Sequence, residues 1–207
     1  MKISKINIII IFGIFLIGII LVFGTTPIPF LGALSSSKIT DDEYEIYSAF
    51  INDNKDLNPI YERILISQDT MNSSFIESGN IFFMKADMPS LQYFTYNDFL
   101  VRNMKKGRLS NSSLPSTVQV VDDDEIKREM HQMKPFIITF DPQGWENQSR
   151  QPVIIRFSRL GFNLDKSQAL LYTSMYCGMT CCSGDYYTFS KSNGNWSISD
   201  RRMTWIS

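Results

Sequence analysis

Three cysteines are the residues best suited to covalent chemistry, and they lie close together at positions 177, 181 and 182. They fall where one predicted strand turns into the next. Opposed residues of an antiparallel pair have Cα atoms about 4.5–5.5 Å apart, which a disulfide can bridge. The spacing therefore predicts a disulfide between Cys177 and Cys181 that staples a hairpin, with Cys177–Cys182 as the alternative register and one thiol left over. Thiol–disulfide exchange through Cys177 and Cys181 is the functional alternative, although a hairpin lacks the helix N-terminus that lowers a thiol pKa in oxidoreductases.

The other candidates for chemistry are one histidine and scattered acids. His131 is the sole imidazole and lies in a predicted helix far from the cysteines, so the ligands for a zinc site are lacking. No Gly-x-Ser-x-Gly elbow accompanies it. Asp141, Glu146 and Asp165 lie in predicted loops, where a pair of carboxylates could serve a glycosidase. We predict no catalytic, cofactor-binding or metal-binding residue and favour a protein that is not an enzyme, with a hydrolase as an alternative.

Length and charge restrict the class of protein. With 207 residues and 43% hydrophobic residues, the chain is long enough for one ordinary domain with its own core. Its formal net charge is −1, and Lys2 and Lys5 precede the domain, which is therefore mildly acidic. Binding to nucleic acid needs a concentrated basic face, which this composition does not provide. We therefore expect a protein or small-molecule partner and no nucleic acid.

The N-terminal segment predicts a membrane location. Ile6 to Gly24 is a run of nineteen residues without a charge, and a helix of about 20 such residues spans a bilayer. Lys2 and Lys5 lie before the run and the next charge is Lys38, so the positive-inside rule directs the C-terminal domain out of the cytoplasm.

The segment can act as an anchor or as a signal peptide. Small residues at Ala33 and Ser35 fit a signal peptidase site, but secretory apolar cores usually have only about 7–15 residues, which favours an anchor. We predict a membrane helix in residues 1–24, a linker in 25–39 and a single domain in 40–207.

Helices and strands alternate in the first part of that domain. Thr40 and Glu43 form a capping box that starts a helix ending near Asn54. Four acids at Asp122–Glu125 precede a further helix, where they complement the positive end of its dipole. Other local patterns predict strands at 63–67, 81–84 and 118–121 and a capped helix that starts at Thr95.

The last third is rich in β-forming residues. We predict strands at 153–157, 169–177, 186–190 and 196–199, with a type I′ turn at Asn193–Gly194. Arg156 and Arg159 are three apart on one predicted strand and should point to opposite faces, so they form no anion clamp. The predicted fold class is α+β, with an antiparallel meander packed against helices.

The C-terminal third carries a resemblance to known proteins. The residues concerned are Ser158–Asn163, Gln168–Tyr172, Gly184–Tyr187 and Gly194–Ile198. With them, residues 140 to 207 resemble a group of uncharacterised exported or lipoprotein-like bacterial proteins, which implies no activity. The Gly-x-Trp-x-Ile ending also resembles the last strands of nuclear-transport-factor-like cone folds, and this implies a pocket between sheet and helices.

These observations favour one function over its alternatives. We expect a membrane-anchored or exported, non-enzymatic binding or structural domain outside the cytoplasm, without a cofactor. The partner classes that remain are an unknown protein and a small-molecule ligand.

Overall fold

One mixed sheet forms the centre of the domain. The computed structural model of the chain describes residues 36–54, 63–74, 76, 81–133, 151–178 and 182–206. The helices in these ranges are α1 (Asp41–Asp53), α2 (Ile81–Asp87), α3 (Tyr93–Arg102) and α4 (Asp123–Gln132). The strands are β1 (Ile64–Ser67), β2 (Val118–Val121), β3 (Val153–Phe157), β4 (Gly161–Phe162), β5 (Gln168–Tyr176), β6 (Cys182–Ser192) and β7 (Asn195–Ile206).

The strand order is β2-β1-β3-β5-β6-β7, and β4 pairs with β5 at the side. The α+β class is confirmed, and β5 to β7 form the predicted antiparallel meander. The sheet as a whole is mixed, because β1 runs parallel to both β2 and β3, and the predicted meander did not include this parallel part. Parallel neighbours need long crossover connections, and α2, α3 and α4 lie in the connections between these strands.

Helices cover both faces of the sheet. Ile64 and Ile66 of β1 belong to the core cluster that includes α1, whereas Leu65 between them packs with Ile126 of α4. In β5, Leu170 packs in the cluster of α2 and α3. A strand that is buried on both faces has no polar side, which explains why Ile64–Leu65–Ile66 shows no alternation.

Several local predictions are confirmed. Thr40 is the N-cap of α1, and its side chain and that of Glu43 make both bonds of the capping box. Asp122 caps α4 through the backbone N–H of Glu125. Asn193 and Gly194 have φ values of 51° and 82°, as a type I′ turn requires.

Other predictions were wrong in type or extent. Residues 81–84 start α2 and are not a strand, because periodicity alone does not separate a short apolar strand from a helix. Thr95 lies inside α3, whose N-cap is Gln92. β7 continues past Ser199 to Ile206, since the charged residues that follow are compatible with an edge strand.

The predicted membrane segment, residues 1–24, lies outside the described residues. Among the helices that are described, none is both long and hydrophobic enough to cross a bilayer.

Candidate functional site

A fully buried ion pair joins α1 to the segment that follows β3. Arg159 Nε donates to Glu43 Oε1 at 2.7 Å, and Arg159 Nη2 donates to Oε2 at 2.9 Å. The exposed fractions are 1% for Arg159 and 0% for Glu43. Burial alone would lower the pKa of Arg159, but the hydrogen bond and charge of Glu43 more than offset it and raise the pKa above its ordinary value. The guanidinium is therefore charged, and Glu43 is its counter-ion.

The same guanidinium fixes the chain at the start of the described domain. Arg159 Nη1 donates to the carbonyl of Ser36 at 2.7 Å, and Nη2 donates to the carbonyl of Lys38 at 3.0 Å. Ile39 follows and is buried in the core. Gly107 allows this approach, because a Cβ there would lie 2.8 Å from Cδ of Arg159. Residues 36–39 are thus attached to the domain through Arg159.

Beside this attachment is a groove of about 710 Å³ between the first residues of the domain, α3 and the turn after β4. We call it the amphipathic groove. Its lining residues are Ser36, Lys38, Thr40, Phe94, Asn97, Asp98, Val101, Arg102, Arg159, Phe162, Asn163, Leu164 and Lys166. Apolar side chains of α3 and of the turn thus lie next to cationic ones.

Gln168, the first residue of β5, connects the two sides of the amphipathic groove. Its Oε1 accepts from the backbone N–H of Gln92 and from Oγ1 of Thr95, each at 2.8 Å. It therefore caps α3, whose own N-cap residue makes no side-chain cap bond. The backbone N–H of Gln168 also donates to Asn163 Oδ1 at 2.9 Å. Asn163 Nδ2 in turn donates to Gln92 Oε1 at 3.2 Å, so two side chains connect α3 with the turn after β4.

The turn after β4, residues 163–167, presents an apolar side chain to solvent. The backbone N–H of Lys166, which has a φ of 54°, donates to the carbonyl of Asn163 at 3.2 Å. Asn163 Nδ2 donates to Ser167 Oγ at 3.0 Å. Hydrogen bonds from the side chain and backbone of Ser167 lower the pKa of Asp165. Leu164 is 84% exposed at this internally bonded turn, at the edge of the amphipathic groove.

Arg102 supplies the polar part of the amphipathic groove. Its Nε donates to Asp98 Oδ2 at 2.7 Å, and its guanidinium lies over the ring of Phe162 at 5.4 Å from the centroid. A guanidinium has five N–H donors, and Asp98 takes one of them. Its Nη1 also lies 4.0 Å from Glu43 Oε2, so the guanidinium already has two carboxylates nearby. It is still a cationic part of the groove lining and can attract a carboxylate or phosphate.

A second, more open pocket of about 680 Å³ lies between α1 and the turn that joins β6 to β7. Its lining is mostly polar and includes Asp41, Glu45 and Trp196. Lys191 lies over the Trp196 ring at 5.2 Å and pairs with Glu45 at 3.4 Å. The chain's own lysine thus occupies one face of the indole and neutralises one of the two acids.

The predicted cysteine staple is only partly within the described residues. Cys177 is completely buried in the core cluster of α1. Cys182 is a half-buried free thiol that donates to the carbonyl of Gly178 at 3.4 Å. Cys181 lies outside the described residues. The last described register pair of this hairpin is Tyr176 opposite Cys182. Because Cys181 is not described, the Cys177–Cys181 bond stays a prediction.

The other candidate residues are not brought together. His131 is exposed in the last turn of α4, and Asp165 is exposed in the turn after β4. Asp141 and Glu146 lie outside the described residues. Within the ranges that the structure describes, no three or more His, Cys, Asp or Glu side chains are grouped so as to hold a metal ion.

Sequence reasoning missed Arg159. It does not lie on β3, which ends at Phe157, whereas Arg156 does and pairs with Asp123 at 3.6 Å. The available signal was a lone cation between apolar and small residues in Ser158–Asn163, together with the capping-box acid Glu43. Neither identifies the other, because 116 positions separate them in the chain.

Comparison of the chain with protein-family models, with curated proteins and with solved structures finds no match.

Proposed function

We propose that this protein is a membrane-tethered domain outside the cytoplasm that binds an amphiphile in the amphipathic groove. The ligand class is a molecule with an apolar chain and one anionic group, such as a carboxylate or phosphate. The observation that carries the proposal is the combination of Phe94, Val101 and Phe162 with the cationic guanidinium of Arg102 in a single groove.

The composition of the groove supports a small-molecule ligand. Ligand pockets usually have volumes of about 300–1,000 Å³ and combine a mostly apolar lining with a few placed polar groups. The amphipathic groove has about 710 Å³ and four apolar side chains, Phe94, Val101, Phe162 and Leu164. A charged head group without an apolar chain would leave the exposed side chains of Phe94 and Leu164 in water.

The position of the groove supports the tethered location. Ser36 and Lys38 line the amphipathic groove, and both are attached to Arg159. The apolar run Ile6–Gly24 ends only twelve positions before Ser36 in the sequence. A membrane anchor in that run would place the groove near the lipid that supplies amphiphiles.

A structural role for the cysteines fits this proposal better than redox catalysis. A redox-active thiol must be accessible and must form a thiolate. Cys177 is completely buried. We therefore retain the Cys177–Cys181 staple as part of the proposal. The cone-like arrangement implied by the C-terminal resemblance is not needed for it, because the groove is formed by α3 and the turn after β4.

Photo-crosslinking tests the ligand. The full chain is reconstituted in phosphatidylcholine vesicles with a long-chain carboxylic acid that carries a photoactivatable diazirine, and the labelled peptides are identified by mass spectrometry. We expect labels in 93–102 and 159–166. Val101→Trp should fill the groove and reduce this labelling severalfold, whereas Gln119→Trp, at an exposed position of β2, should not.

Labels restricted to the apolar N-terminal run, and equal in both variants, would refute the proposal. Circular dichroism on each variant separates a lost ligand from a lost fold.

A further inference from the structure

The edge of the amphipathic groove contains much of the exposed apolar surface of the described domain. Six large apolar side chains are exposed in the described residues: Tyr93, Phe94, Met130, Leu164, Met203 and Ile206. Phe94 and Leu164 line the groove, with exposed fractions of 62% and 84%, and Tyr93 precedes Phe94 in the first turn of α3. Exposed apolar side chains that cluster at one edge indicate a surface that binds a partner or a membrane.

Hydrogen bonds fix the position of this edge. Phe94 lies in the turn of α3 that Gln168 caps, and Leu164 lies in the turn that Asn163 closes. Gln168 and Asn163 are bonded to each other at 2.9 Å. The backbone at Phe94 and Leu164 is therefore held in place before any partner binds, which reduces the entropy lost on binding.

Three lysines lie near the apolar edge. Lys38 and Lys166 line the amphipathic groove, and Lys85 lies over the ring of Tyr93 at 5.1 Å. Lys166 pairs with Asp42, whereas Lys38 forms no salt bridge with the described residues. Aromatic and aliphatic side chains flanked by lysines match the interface of a bilayer that contains anionic lipid.

The tether limits the distance from this edge to a bilayer. Twelve positions separate Gly24 from Ser36. An extended chain of that length spans at most about 40 Å. Since Ser36 lines the groove, tethering gives its edge a high effective concentration at the bilayer surface.

We propose that Tyr93, Phe94 and Leu164 insert into the surface of the bilayer in which the N-terminal segment is anchored, with Lys38 next to anionic lipid head groups. The amphipathic groove then opens directly onto lipid. This inference rests on the proposed function, because it assigns the bilayer itself as the source of the amphiphile. Unlike the proposed function, this inference requires the domain to contact an intact lipid surface.

Tryptophan quenching tests the orientation. Leu164→Trp is made in the full chain and reconstituted in vesicles of phosphatidylglycerol and phosphatidylcholine, with and without brominated acyl chains. Ile206→Trp is the matched control, because Ile206 is 72% exposed and lies at the far end of edge strand β7. After subtraction of the parent signal, we expect bromine quenching and a blue shift for Leu164→Trp and neither for Ile206→Trp.

Charge provides a second readout. Lys38→Glu in the Leu164→Trp background should reduce the quenching in phosphatidylglycerol vesicles, and salt should reduce it in the parent, because exposed charges are screened. Equal quenching of Leu164→Trp and Ile206→Trp overturns the orientation. If fatty-acid labelling of the groove persists in that case, the proposed function stands; if labelling is also absent, both fall.

Discussion

Replacing Glu43 by Gln should destabilise the domain far more than removing the helix cap at the same site. Glu43→Gln keeps the size of the side chain but leaves the guanidinium of Arg159 buried without its counter-ion. Removing one partner of a buried ion pair costs about 3–5 kcal/mol. Arg102 also approaches Glu43, at 4.0 Å, and loses the same attraction.

The capping contribution can be separated from that of the ion pair. Glu43 accepts from the backbone N–H of Thr40 at 2.9 Å, and Gln also serves in capping boxes, so Glu43→Gln leaves the cap largely intact. Thr40→Ala removes the cap and retains the ion pair, at a cost of about 1 kcal/mol. The expected difference between the two variants is therefore about 2 kcal/mol or more.

Urea unfolding of the full chain in detergent micelles, followed by tryptophan fluorescence, measures this difference. The dependence of unfolding free energy on urea is about 1–3 kcal/mol per M for domains of ordinary size. A loss of about 3 kcal/mol therefore lowers the midpoint by about 1–3 M for Glu43→Gln. A midpoint for Glu43→Gln as high as that of Thr40→Ala would show that the buried pair does not act as we describe.

Three further outcomes follow from the structure. Gly161→Ala places a Cβ 2.3 Å from the backbone of α3 and should lower the free energy of unfolding by about 3 kcal/mol. Gly194→Ala lies in open space at a φ of 82° and should lower it by only about 1–2 kcal/mol. Urea midpoints in the reverse order would contradict this packing. Burial, with the charge of a neighbouring carboxylate, raises the pKa of Tyr187 to about 12. Because the unfolded phenol titrates near pH 10, this contribution to stability is present below pH 10 and lost as the pH rises through 12. Tyr187→Phe should therefore reduce the dependence of unfolding free energy on pH in that window. An unchanged slope would count against the raised pKa. Thiol titration of the native chain should find one reactive group, Cys182. Peptide mapping without reduction should find Cys177 in a disulfide-linked peptide. Three titratable thiols would exclude the predicted disulfide.

The sequence predicts those parts of the fold that are determined by neighbouring residues. The capping box at Thr40 and the turn at Asn193–Gly194 depend on a few adjacent side chains and backbone angles, and both are confirmed. The parallel pairing of β1 depends on where the chain returns after two helical crossovers. The local sequence pattern does not show where the chain re-enters the sheet. An apolar run such as Ile64–Leu65–Ile66 fits both parallel and antiparallel pairing.

The candidate site was less accessible to prediction for the same reason. The amphipathic groove combines residues from the start of the domain, from α3 and from the turn after β4. Gln168 caps a helix whose N-cap residue lies 76 positions earlier, and this contact explains why Thr95 is not the cap that its sequence context indicated. Exposed Leu164 could be suspected from its polar neighbours Asn163 and Asp165, but its proximity to Phe94 could not.

The position of the ion pair, more than its strength, connects it with the groove. A buried ion pair is weak evidence for stability, because apolar residues of similar size often stabilise a protein equally well. The double variant Glu43→Leu with Arg159→Met should therefore unfold at a higher urea concentration than Glu43→Gln. It nevertheless removes the donors that hold the carbonyls of Ser36 and Lys38, which form one wall of the amphipathic groove. A folded double variant with reduced labelling of the groove would assign Glu43 and Arg159 a positioning role, and a folded double variant with full labelling would restrict them to stability.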